Sequence, residues 1–307
     1  MRLFYFSIVT VLATWILLLI GGIVNPMGAS LACPDWYFIP TCNGQLLPEM
    51  TGGVLYEHGH RLWASLVGLL TIILAIAIWF IRAFDKTVRG LSILAVFLVA
   101  FQGTLGGITV LLGLSAFVST LHLVTAMAFF CLLIYISYCL YPKTIVGFPE
   151  AGQRRLVGIT VILALAQILL GGWVRHAGAG LACGDDWISC GPLFWPAWSL
   201  GQWHMLHRIM GYFLAGMVIH ACTVAAREAK RCGFVFAQKI AWWPILLVCV
   251  QIGLGLATVA TVRTVFFVSL HTAFAALLLA ALFTLYLCLK GRAALTSSHI
   301  QSQRAAH

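Results

Sequence analysis

Charge is scarce in this chain: Asp, Glu, Lys and Arg make up 8% of its 307 residues, against about 25% in soluble globular domains. That deficit excludes an ordinary water-soluble fold. Acidic residues are scarcest, with 8 Asp and Glu against 18 Lys and Arg and a formal net charge of +10. The amino-terminal stretch is also not Arg-rich and Ser-rich, so an organelle transit peptide is disfavoured and a bacterial cytoplasmic membrane is the expected home. What fills the chain instead is apolar: 62% of residues are hydrophobic, and the mean hydropathy is +1.01. A membrane span needs about 20 mostly apolar residues. Eight such stretches are predicted, at 4 to 24, 54 to 81, 91 to 112, 117 to 140, 155 to 174, 203 to 226, 240 to 261 and 265 to 289.

The basic excess sorts by loop. Alternate connections carry Arg82, Lys86 and Arg89, then Lys143, Arg154 and Arg155, then Arg227, Lys230, Arg231 and Lys239; Arg2, Lys290, Arg292 and Arg304 lie at the ends. The intervening loops hold only Arg175 and Arg263, apart from Arg61 and Arg208 at helix mouths. By the positive-inside rule both termini are cytoplasmic. The excess therefore reports topology, and no nucleic-acid partner is expected. Met27 to Ala32, after the first apolar stretch, resembles a signal-peptide cleavage site. The same tract recurs in mid-chain, which favours keeping the first span as part of the fold.

That recurrence organises the chain. Gly21-Gly22-Ile23-Val24 through Gly28-Ala29-Ser30-Leu31-Ala32-Cys33 returns 150 residues later as Gly171-Gly172-Trp173-Val174 through Gly178-Ala179-Gly180-Leu181-Ala182-Cys183. His60-Arg61 matches His207-Arg208, while Gln102, Gly106, Thr109 and His122 match Gln251, Gly255, Thr258 and His271. Four spans per half is an even number, so both halves enter from the same side as parallel repeats. The expected fold is all-α and polytopic, with eight transmembrane helices in two parallel-repeat four-helix bundles. Residues 1–142 form the first bundle, 143–154 a cytoplasmic linker, 155–290 the second bundle and 291–307 a cytoplasmic tail.

Four histidines follow the repeat. His60 and His122 sit near the outer ends of spans two and four, and His207 and His271 occupy the matching places in spans six and eight. His58, His176, His204, His220, His299 and His307 stand outside the pattern. Ionisable groups inside a membrane are costly and point to function. Two neutral imidazoles facing across a bundle suit the axial positions of a haem iron. Gly103, Gly106, Gly107, Gly253, Gly255 and Gly211 would let a flat ring approach the helices. Interhelical hydrogen bonding is the plain alternative for such histidines. Copper or zinc is the other metal reading, and two donors per half fall short of the usual four-ligand zinc set.

The halves differ at one telling place. Glu57 precedes His60 by three residues and shares its helix face, whereas His204 stands there in the second half. One site thus has a carboxylate for acid/base chemistry and the other has none; capping of the helix start is the bland role for Glu57. Arg61 and Arg208 are placed to pair with haem propionates or, equally, to snorkel to lipid phosphates. Cys33 and Cys42 in the first outer loop, and Cys183 and Cys190 in the third, fall in an oxidising compartment, so one disulfide per loop is expected, structural or exchanging with external thiols. Cys131, Cys139, Cys222, Cys249, Cys288 and Cys232 read as packing or neutral residues. Trp36, Tyr37, Trp187, Trp195 and Trp198 suit an interfacial belt.

Together, Glu57-x-x-His60-Arg61, His122, His207-Arg208, His271 and the paired loop cysteines resemble the heme A synthases over nearly the whole chain, up to about residue 290. The resemblance implies oxidation of a methyl group of haem O to a formyl group, giving haem A by successive hydroxylations with water as oxygen source. It implies substrate haem at His60 and His122, haem b at His207 and His271, Glu57 as catalytic carboxylate, and Cys33 with Cys42 as a loop pair linked to activity. Eight residues separate the first cysteine pair and six the second, which sets the two loops apart. A haem O synthase and terminal oxidase assembly would be its partners, with an external electron acceptor. The sites are expected toward the extracytoplasmic side of the inner membrane. Two other classes stay open on sequence: a diheme membrane cytochrome b carrying electrons between quinone and a partner, and a transporter.

Overall fold

The computed structural model describes residues 1–292 except 38, 82, 83, 146, 148–150, 185, 187, 192 and 193. Arg82, Trp187 and the tail with His299, Arg304 and His307 lie outside the described residues. Eight helices are long and apolar enough to cross a membrane: α1 (Arg2–Val24), α2 (Gly52–Phe80), α3 (Lys86–Leu111), α4 (Ala116–Leu140), α5 (Ala151–His176), α6 (Ser199–Arg231), α7 (Val235–Ala260) and α8 (Val265–Lys290). A single 3-10 turn, Ala179–Leu181, follows α5, and no named strand occurs among the described residues. The chain is a multi-pass helical membrane protein. In hydrocarbon every backbone N–H and C=O must be satisfied within the protein, which leaves helices as the form these Leu-, Ile- and Ala-rich stretches adopt.

Several helices outrun the apolar stretches that announce them. The 33-residue α6 starts four residues earlier and ends five later than expected, reaching about 50 Å at 1.5 Å per residue. Hydropathy marks where lipid begins, whereas helical hydrogen bonding continues into water wherever propensity and capping allow. α3 starts with Lys86 because the Asp85 side chain accepts a hydrogen bond from the Val88 N–H at 2.9 Å. α5 begins at Ala151, inside the stretch read as linker. Pro244 lies within α7.

Within the first half α1 packs on α2, α2 on α3, α3 on α4 and α4 on α1; in the second, α5, α6, α7 and α8 close the same ring. α1 and α4 meet α8, and α4 also meets α5. Glycines bring these helices close: a Cβ on Gly22 would meet Ser269 and Thr272 of α8, and one on Gly172 would meet Thr120 and Leu123 of α4. Arg175 adds a polar tie, donating at 2.9 Å to the Gly22 carbonyl and at 3.0 Å to the Thr272 hydroxyl. α4 and α8 are accordingly the most buried spans. Large exposed side chains such as Leu69, Phe97, Phe213, Trp242 and Leu246 lie on the outer helices, where lipid is the solvent. At the far end, Ile145 and Arg292 exchange backbone hydrogen bonds of 2.8 and 2.7 Å, tying the linker to the end of α8.

Candidate functional site

The four repeated histidines occupy matching heights. His60 and His207 lie eight residues past the first residue of α2 and α6, about 12 Å along each helix. His122 and His271 lie six residues past the start of α4 and α8, or about 9 Å. In the second half the rings of His207 and His271 meet edge to face, with centroids 6.5 Å apart and planes at 76°. A metal–imidazole bond is about 2 Å long, so such a separation admits one metal atom between the two rings. Both rings line a cavity of ≈ 240 Å³, roughly twenty times what one water molecule requires. Its walls are apolar, and Arg175, Arg208 and Arg263 supply positive charge around it.

Glycines shape this pocket, though not all those expected. A Cβ on Gly171 would come within 2.8 Å of the His207 ring, and one on Gly255 within 3.2 Å of the His271 ring. Their counterparts Gly21 and Gly106 stand 3.0 and 3.4 Å from the His60 and His122 rings by the same measure. Gly103 and Gly253 face open space, Gly107 makes room for the Trp36 indole, and Gly211 for the amide of Gln167. Trp36 thus reaches in against α3 besides its expected place in a belt. Among the described residues no three His, Cys, Asp or Glu side chains converge as a metal cage. The donor set is two imidazoles in an apolar cleft ringed by guanidinium groups, which fits a flat iron porphyrin bearing carboxylates.

Beside the first pair, the loop between α1 and α2 is closed by the Cys33–Cys42 disulfide. Glu57, 4% exposed, accepts a 2.8 Å hydrogen bond from the Cys33 N–H and pairs with Arg61 at 2.7 Å. Arg61 also donates to the carbonyls of Cys33, Asp35 and Thr41 at 2.6, 2.7 and 2.7 Å. Its guanidinium is therefore engaged with the loop and with Glu57, one turn from His60. The Asp35 carboxylate holds the turn after Cys42 by accepting from the Asn43 and Gly44 N–H groups and the Thr41 hydroxyl. Burial alone would raise the pKa of Asp35, but these hydrogen bonds outweigh it and hold the carboxyl below its ordinary value.

The loop between α5 and α6 repeats the plan with a different centre. Cys183 and Cys190 are joined, and the Cys183 N–H points at Nδ1 of His204 from 3.4 Å, where Glu57 stands in the first half. Arg208 donates to the carbonyls of Asp186 and Ser189, and Asp186 accepts from the Gly191 N–H at 3.0 Å. Among the described residues, one terminal nitrogen of Arg208 is buried without a partner on a residue that lines the cavity.

Among the remaining histidines, His58 bonds the Leu46 carbonyl at 3.1 Å and His176 the Thr120 hydroxyl at 3.1 Å. Cys131, Cys139, Cys222, Cys232, Cys249 and Cys288 are free. The sequence reading gave no role to the glutamines. Gln102, Gln167 and Gln251 each lie against one of the repeated histidines. An amide within an apolar span was one available signal, and the repeat that matches Gln102 with Gln251 was another.

Residues 4–283 match the family model COX15-CtaA, described as cytochrome oxidase assembly protein. The chain is similar to the heme A synthase of Geobacillus kaustophilus, 27% identical over 300 residues that cover 94% of this chain and 92% of the relative. The heme A synthase of Bacillus licheniformis is 26% identical over 265 residues, covering 82% and 84%. That of Alkalihalophilus pseudofirmus is 29% identical over 223 residues, covering 69% and 73%.

Proposed function

Because the chain belongs to the COX15-CtaA family of cytochrome oxidase assembly proteins, we propose that it is a heme A synthase. In this reading the bundle 1–142 takes haem O as substrate between His60 and His122, and the bundle 155–290 keeps haem b between His207 and His271. Both sites lie toward the extracytoplasmic face of a bacterial inner membrane. A methyl group becomes a formyl group by two hydroxylations with water and the loss of one water. Four electrons leave the substrate carbon and pass to an external acceptor, and four protons are released, two from that carbon and two from water.

One observation carries the assignment: two loop-and-helix mouths of one design differ in that Glu57 is a buried carboxylate where His204 is an imidazole. Glu57 is the group to accept a proton from the attacking water or to stabilise positive charge developing at the methyl carbon. Arg61 supplies its counter-charge in a low-dielectric site, where an unpaired carboxylate would be costly. The Cys33–Cys42 bridge limits the motion of the Cys33 N–H that orients the second carboxylate oxygen. When bound, haem b supplies one-electron transfer. Around it, Arg208, Arg175 and Arg263 are the residues to meet haem carboxylates. A haem O synthase that supplies the substrate and the terminal oxidase assembly that consumes the product complete the setting.

The test is chemical. Membranes of cells that make haem O are extracted with and without this protein, and the haems are identified by mass and by reduced pyridine haemochrome spectra. Haem A appearing only with the protein supports the reading. Haem O remaining unchanged beside a bis-imidazole spectrum identifies a diheme cytochrome and overturns it; a purified sample with no Soret band points to a transporter.

A further inference from the structure

The two histidine pairs lie in different electrostatic settings. The loops beside them, 25–51 and 177–198, balance in acid, with Asp35 and Glu49 in one and Asp185 and Asp186 in the other. The difference comes from the helix mouths and from the short turns opposite. In the first half the buried Glu57 neutralises Arg61 at 2.7 Å. In the second half His204 stands in place of that carboxylate, and Arg208 keeps a buried terminal nitrogen without a partner. Arg263 adds another guanidinium at the cavity wall. Arg175 lines the same cavity but also donates to the Gly22 carbonyl of α1, so both halves feel its charge.

The repeat isolates the contribution of Arg263. It lies in the turn between α7 and α8, and at the 149-residue offset Leu114 lies in the turn between α3 and α4. Both adopt left-handed backbone, at φ 62° and 66°, which strains any L side chain. Each N–H donates at 2.8 Å to the carbonyl of a repeated threonine, Thr258 or Thr109. The backbone therefore asks the same of both residues, and charge is what sets them apart. Gly180, where the first half has Ser30, lets the Arg263 chain lie close: a Cβ there would stand 3.5 Å from Arg263 Cδ.

A positive charge beside a haem favours Fe(II), which carries one positive charge fewer than Fe(III), and a negative charge does the reverse. At an effective dielectric of about 20, a unit charge about 10 Å away moves that equilibrium about tenfold. We infer that Arg208 and Arg263, opposed by Glu57 in the other half, hold the second haem site at a higher reduction potential than the first. This rests on the proposed haem ligation, and it gives electron flow a direction. An electron at the first site is drawn to the second, one iron passing from Fe(II) to Fe(III) as the other passes from Fe(III) to Fe(II), with no atom or proton exchanged.

The test keeps the porphyrin constant. Purified full-length protein is loaded with haem b at both sites and titrated potentiometrically under its absorbance spectrum. Wild type is expected to titrate in two steps, with His207→Ala abolishing the higher one. Arg263→Leu, which copies the first half, should lower that step by about 59 mV, a tenfold fall in the Fe(II)/Fe(III) ratio at fixed potential. Arg263→Lys, which returns the charge without the planar fork, should restore it. The reciprocal Leu114→Arg should raise the lower step by a similar amount. Coincident steps in the wild type, a higher step that survives His207→Ala, or an unmoved step in Arg263→Leu overturns the inference while the ligation stands. If Arg263→Leu does not fold or hold haem, Glu57→Gln decides: removing the opposing charge should raise the lower step, and an unmoved step overturns the inference. Absence of any bis-imidazole spectrum in the wild type instead overturns the ligation on which it rests.

Discussion

The two disulfide-closed mouths of the molecule share a scaffold and differ in what it holds. In each, a disulfide closes a short loop, an aspartate caps the turn after the second cysteine, and an arginine one residue past a candidate ligand binds the carbonyl just before that cysteine. In the first mouth the N–H of the leading cysteine meets the Glu57 carboxylate, and Arg61 neutralises it. In the second it meets His204, and Arg208 is left with an unpaired nitrogen beside the cavity. The same lid thus anchors a charged pair in one half and leaves one guanidinium nitrogen unpartnered beside the cavity in the other. Changing one residue type redirects the arginine, because a buried guanidinium takes whichever negative charge lies within reach.

The comparison breaks most sharply at Glu57. Glu57→Gln keeps an acceptor for the Cys33 N–H but removes the base, so haem A formation should fall by about 10²- to 10⁴-fold, with the haem b spectrum unchanged; normal haem A output would remove Glu57 from the chemistry. The reciprocal His204→Glu should create no second activity. Arg61→Ala strands a buried carboxylate and should cost about 3–5 kcal/mol. Arg208→Ala loses hydrogen bonds to two carbonyls and the attraction of the exposed Asp186, about 1.5–3 kcal/mol. Thermal unfolding in detergent compares the two, and equal losses would mean that Glu57 does not depend on Arg61.

Opening either disulfide by Cys→Ser replacement should cost about 2.5 kcal/mol for loops of this length. Only the Cys33–Cys42 variant should also lose activity, since only that loop orients Glu57. The smallest effect concerns Asp35. Its folded pKa is depressed, so its contribution to loop stability is present above the ordinary carboxylate range and is lost as pH falls through the folded value. Limited proteolysis of the loop between α1 and α2 should therefore increase below about pH 4, and Asp35→Asn should flatten that dependence.

Much of this was legible beforehand. Eight apolar runs announced eight helices, because lipid leaves the backbone few alternatives. The repeat singled out His60, His122, His207 and His271, which fall at matching helix positions. The acid found in one half only was likewise visible in the letters. Helix ends were legible less well: α6 and α7 extend past their apolar stretches, where hydropathy has nothing to report.

Composition and repetition, then, determined by themselves that this chain folds in lipid as eight helices and carries duplicated imidazoles, since both follow from residue type and spacing along one strand of text. Only the tertiary structure decided what each polar side chain touches. It gave Arg61 to Glu57 and to loop carbonyls, Trp36 to Gly107, and Gln167 to His207 through the gap at Gly211. Apart from Arg61 with Glu57 on one helix, those pairings join residues tens of positions apart, and a hydrogen bond exists only where packing brings donor and acceptor within about 3 Å.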